Sequence, residues 1–107
     1  MANDYKNAKV DLTTTGATVL YTAPAARTAV FKSIVVSEDT GSADTITITI
    51  TDAAAAVFSL FKVKAVAANT TIELLTQPLI VETGEIIKLT AATANRLHVV
   101  ASYMEIS

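Results

Sequence analysis

The segment Thr45-Ile46-Thr47-Ile48-Thr49-Ile50-Thr51 constrains the fold more than any other. Its apolar residues recur every second position, so in an extended chain all three isoleucines lie on one face and all four threonines on the other. A helix would scatter them around its circumference. Both residue types are β-branched, which narrows their side-chain freedom and suits a pleated surface. The segment therefore predicts a half-buried β-strand with one face toward a core.

The rest of the chain is written in the same way. Thr, Val and Ile contribute 17, 11 and 9 of the 107 residues. Strand-like runs fall at 9–12, 17–22, 28–37, 57–63, 70–75, 79–82, 85–91 and 96–106, and Ile34-Val35-Val36 predicts burial on both faces. Between them lie turn signals: Thr13 to Gly16, Ala23-Pro24, Glu38 to Asp44, Ala68-Asn69, Gln77-Pro78, Thr83-Gly84 and Thr93 to Asn95. The run Asp52 to Ala56 is too short to stand as a helix and reads as a hairpin connection. Turn signals at this spacing predict an all-β fold, a single antiparallel β-sandwich of jelly-roll-like character with roughly eight strands. Residues 1–7 are polar and read as a flexible N-terminal arm, with 8–107 as the single sandwich domain.

Composition narrows the function. With 51% hydrophobic and 17% charged residues, the chain can bury a core over most of its length. There is no Cys to form disulfides, and the net charge of −2 comes with scattered basic residues, which opposes a nucleic-acid role. No apolar run reaches membrane-spanning length and the start lacks a secretory pattern, so the expectation is a protein made in the cytoplasm with no membrane partner.

Candidate chemistry is sparse. His98 is the single histidine, and no nucleophile or orienting acid is patterned beside it, so it reads as a partly exposed strand residue rather than a base. Glu38, Asp39 and Asp44 share a loop but lack calcium-loop spacing, and read as a solvated turn. Gly16, Gly41 and Gly84 each sit at a turn rather than in a phosphate-binding cluster. The threonine face lacks matching arrays on other strands that an ice-binding surface needs. Tyr21, Phe31, Phe58, Phe61 and Tyr103 could form a stacking platform, but without basic flanks most belong to the core. No catalytic residue, cofactor or metal is predicted. Residues proposed for a protein interface are Tyr5 and Lys6 of the arm and Glu38, Asp39 and Asp44 of the loop, where recognition concentrates on rigid scaffolds.

Several segments taken in order, Thr18-Val19-Leu20-Tyr21-Thr22-Ala23-Pro24, Thr28 to Val36, Thr45 to Asp52, Thr71 to Leu75, Leu79 to Leu89 and Val99 to Ile106, resemble a recurring pattern in small virion structural proteins of tailed bacteriophages. The chain departs from it at Ala25-Ala26, where Pro-Ala-Gly is more usual. The resemblance implies a non-enzymatic virion component, foremost a capsid decoration or cement protein. Its expected partners are the major capsid protein or other virion proteins, and it is expected to be a homo-oligomer, with a trimer favoured. A neck, tail or fibre protein is the alternative, and a carbohydrate- or protein-binding module a more distant one.

Overall fold

A computed structural model describes residues 3–107, and the Thr/Ile run lies in it as an eight-residue strand. The nine strands are β1 (Asn3–Asp11), β2 (Thr18–Thr22), β3 (Thr28–Glu38), β4 (Asp44–Thr51), β5 (Val57–Val66), β6 (Thr70–Glu73), β7 (Leu79–Val81), β8 (Ile86–Ala91) and β9 (Leu97–Ile106). They form two antiparallel sheets. The first runs β1-β9-β3, with β6 and β7 end to end along the far edge of β3, and the second runs β2-β8-β4-β5. Counting β6 and β7 as one strand interrupted by the Leu74 to Pro78 loop, this is the strand order of an eight-stranded jelly roll.

Alternation explains the packing. In β4, Ile46 and Ile48 are fully buried, while Thr45, Thr47 and Thr49 are half-buried on the other face. In β9 the odd positions Leu97, Val99, Ala101, Tyr103 and Glu105 point inward, and in β3 the inward set is Ala29, Phe31, Ile34, Val36 and Glu38. The shift in β3 parity comes from a bulge at Lys32, where pairing with β9 skips a residue. An aromatic cluster fills one end of the core. Phe31 stacks on Tyr103 with ring centroids 4.7 Å apart, and Tyr21 meets Phe31 edge-on at 5.1 Å.

The β4–β5 hairpin closes as expected for Asp52 to Ala56. The Asp52 carboxylate accepts hydrogen bonds from the backbone N–H groups of Ala54 and Ala56 at 3.0 and 2.9 Å, and Ala55 takes a positive φ of 70°. β5 itself is irregular. Its pairing with β4 slips twice, around Val63 and Leu60, and Val63 sits at φ 52°, a left-handed conformation strained for a β-branched residue. The Thr47 hydroxyl accepts the Val63 N–H at 3.0 Å and so holds the kink.

Two local expectations change. Asn3 to Asn7 are not an arm: they continue β1, which pairs with β9 over nine consecutive residues. An edge strand is held by its backbone ladder and can stay polar on both faces, so composition alone does not reveal it. Met1 and Ala2, the rest of the expected arm, lie outside the described residues. Val35 is only half-buried, because the outer face of β3 meets no third layer. Of the five aromatics from Tyr21 to Tyr103, Tyr21, Phe31 and Tyr103 are buried, as expected of most of them, while Phe58 is 55% exposed on the edge strand β5.

Candidate interaction surface

Among the described residues, the buried carboxylates bond to the protein's own side chains and backbone. Glu105 lies on the inward parity of β9 and is 3% exposed. Its carboxylate accepts hydrogen bonds from Lys6 Nζ at 2.8 Å, Tyr21 Oη at 2.6 Å and an Arg27 guanidinium N–H at 3.3 Å. Arg27 also donates to Asp4 at 2.9 Å. The Lys6 and Tyr21 bonds hold the Glu105 carboxyl below the usual carboxylate range despite its burial. Burial, reinforced by the carboxylate, pushes the Tyr21 phenol well above its ordinary value. This network ties β1 and the β2–β3 turn to β9.

Glu38 is 1% exposed at the inward end of β3. It accepts from the Thr40 hydroxyl and from the backbone N–H groups of Thr40, Gly41 and Asn69 at 2.8, 3.1 and 3.0 Å. The Thr40 hydroxyl and then these amides pull its carboxyl down to about 2, against the opposing effect of burial. Gly41, at φ 87°, supplies the left-handed turn that directs its N–H to the carboxylate. Asp44, also buried, accepts the Thr93 N–H at 3.2 Å. Glu73 binds the Ser33 hydroxyl and the amides of Ile34 and Leu75. Burial alone would raise its carboxyl, but these donors bring it below its ordinary value.

The five residues expected at an interface therefore separate. Glu38 and Asp44 are interior loop braces. Lys6 is committed to Glu105, while Tyr5 is 79% exposed on the outer face of β1. Asp39 is exposed, with its Oδ1 3.4 Å from His98 Nε2, and His98 Nδ1 lies 3.5 Å from Asp11 Oδ1. The structure brings Tyr5 and Lys6 onto one strand but does not bring them together with the loop acids. Tyr21, Phe31 and Tyr103 are interior and offer no stacking platform. Among the described residues, no three His, Cys, Asp or Glu side chains are grouped to hold a metal ion.

What the surface does offer is apolar. Strand register places Tyr5 opposite Met104, Met104 opposite Val30, and Val30 opposite Ile80 on the outer face of the first sheet. This row crosses β1, β9, β3 and β7, and a second pair, Val100 opposite Val35, lies further along. The row was hidden in the sequence because it is assembled from four strands distant in the chain. The Glu105 network was missed as well, although an acid on the inward parity of an apolar strand, after Val99, Ala101 and Tyr103, is a legible signal of a buried, partnered carboxylate.

Fold and surface together define a jelly-roll β-sandwich whose buried ionisable groups serve its architecture. No family model matches the chain and no curated protein matches it. Among solved structures, it is similar to a chain from the disulfide-linked pili that form Bacillus endospore appendages. The TM-score is 0.60 at 12% sequence identity, covering 99% of this chain and 87% of that one. A chain of infectious bursal disease virus, Gt strain, gives a TM-score of 0.45 at 11% identity, covering 96% of this chain and 31% of that one.

Proposed function

We propose that this protein is a non-enzymatic structural component of a bacteriophage virion, a capsid decoration or cement protein that binds the capsid surface and stabilises the particle. The observation that carries the reading is the contrast between interior and surface. Buried ionisable groups are spent on the protein's own loops and strands, whereas an apolar row spans four strands of an outer sheet face. Apolar residues set in a row on a solvent-facing sheet suit contact with another protein. The sequence resemblance to small virion proteins supports the same reading. So does the use of this fold in pili, although a chain without cysteine builds no disulfide-linked assembly.

Cryo-electron microscopy and quantitative mass spectrometry of the purified source particle test the proposal. A decoration protein is present in hundreds of copies on the capsid lattice. About a dozen or fewer, located at the neck, tail or fibre base, moves the protein to that part of the virion, and its absence from particles overturns the reading.

A further inference from the structure

The edges of the two sheets are not alike. β2 breaks register between Val19 and Tyr21 and stops just before Ala23-Pro24, β5 slips twice against β4, and β6 and β7 have only four and three residues. Bulges, proline and shortness are the usual means of preventing a bare edge from pairing with another chain. β1 has none of them. It runs nine residues without a register shift and contains neither Pro nor Gly. Its inward charges, which would otherwise discourage pairing, are already neutralised: Lys6 by Glu105 and Asp4 by Arg27.

The hydrogen-bond parity of this edge is fixed. Leu12 N–H donates to Leu97 C=O at 3.0 Å, one step beyond the Asp11↔His98 pair. Hydrogen-bonded pairs alternate along an antiparallel ladder. Val10, Ala8, Lys6 and Asp4 therefore bond to β9, and Asn3, Tyr5, Asn7, Lys9 and Asp11 turn their N–H and C=O groups outward from the sheet. Among the described residues, none of these outward groups has a partner.

We propose that β1 pairs with β1 of a second copy, antiparallel about a two-fold axis at Asn7, to make one continuous sheet across a dimer. A two-fold perpendicular to the sheet keeps outer faces together, so odd residues oppose odd ones. The register centred on Asn7 uses the whole strand. It sets Asn3 against Asp11, Tyr5 against Lys9 and Asn7 against its own copy on the outer face, with Asp4 against Val10 and Lys6 against Ala8 on the inner. No like charges face each other directly. Shifting the centre to Lys6 would oppose two lysines, and shifting it to Ala8 would leave Asn3 and Asp4 unpaired. In the favoured register the exposed Tyr5 ring is covered by the Lys9 stem and ammonium of the second copy, a cation–π contact made twice. The outward N–H and C=O groups become the hydrogen-bonded pairs of the new ladder.

Sedimentation velocity of the intact chain over roughly 1 μM to 1 mM, the range suited to an edge-limited interface, should show a reversible monomer–dimer equilibrium. Asn7→Pro removes an N–H that β9 does not use, and proline is tolerated on the open side of an edge strand. It should keep the monomer's melting temperature and weaken association at least about tenfold. If that variant does not fold, Tyr5→Ala replaces a side chain exposed in the monomer and should weaken association severalfold. Asn7→Cys should be joined to its copy by a short bifunctional thiol cross-linker, since a hydrogen-bonded antiparallel pair sets Cα atoms about 5.5 Å apart. Lys32→Cys, exposed on the same sheet, should not. A monomer at all concentrations, a trimer, or equal cross-linking by both cysteine variants overturns the proposal. The measurement uses the isolated chain, so its failure leaves the virion assignment standing, and the reverse holds too.

Discussion

Replacing Phe31 with alanine tests the packing of the aromatic end of the core. The ring is fully buried, lies 4.7 Å from Tyr103 and 5.1 Å from Tyr21, and belongs to the central strand of its sheet, paired on both sides. Phe→Ala at such a site loses transfer free energy and leaves a cavity, together about 3–5 kcal/mol. The lower half of that range applies if the two tyrosines collapse into the gap, and the upper half if Glu105 holds Tyr21 in place through its 2.6 Å bond. For a domain of this size, each 1 kcal/mol moves the melting temperature by about 4–8 °C, so a fall of roughly 12–40 °C is expected. Urea unfolding followed by circular dichroism gives the free energy directly, and the near-ultraviolet tyrosine signal reports whether Tyr21 and Tyr103 lose their fixed environment. Phe58→Ala, on the open β5 edge, is the internal comparison and should cost well under half as much. A loss below about 2 kcal/mol for Phe31→Ala, or equal losses for the two variants, would refute the account of which faces pack the core.

Two further outcomes follow from the loops and edges. Glu38 has its carboxyl drawn down to about 2. Its contribution is therefore complete above the unfolded value of about 4.3 and disappears as pH falls through about 2. Acid titration of stability should show a steeper decline across that window for the wild type than for Glu38→Gln; parallel curves would show that the Thr40, Gly41 and Asn69 donors do not bind an ionised carboxylate. Val63, exposed at φ 52°, is strained, so Val63→Asn should stabilise the fold by about 1 kcal/mol in the same urea assay, and a comparable loss would count against the kink.

How far the sequence announced this structure varies by element. β4 was legible residue by residue from Thr45 to Thr49, because a strict two-residue period has one extended solution when one face is buried; only at its end does burial depart from the period, with Ile50 half-buried and Thr51 buried. The hairpin at Asp52 to Ala56 was legible from its turn chemistry. β1 was not, since its order comes from the β9 backbone ladder and from a Glu105 carboxylate nearly a hundred residues away. Glu38 was misassigned to a solvated loop for a related reason: the amides that hold it, on Thr40, Gly41 and Asn69, converge only when the β3–β4 and β5–β6 loops meet. The apolar row depended on register across four strands, and the bulge at Lys32 shifts that register in a way no residue type advertises.

The two slips in β5 have a consequence beyond local strain. A sandwich with two open, regular edges is divalent and can add copies without limit, as a fibre does. With β5 coiled away from regular pairing, β2 broken by its own bulge and β6–β7 too short to template a neighbour, β1 remains as a single point of valence. Strand pairing can then join two copies and must stop there. Any larger assembly then has to grow through the sheet faces rather than through the protein's own edges.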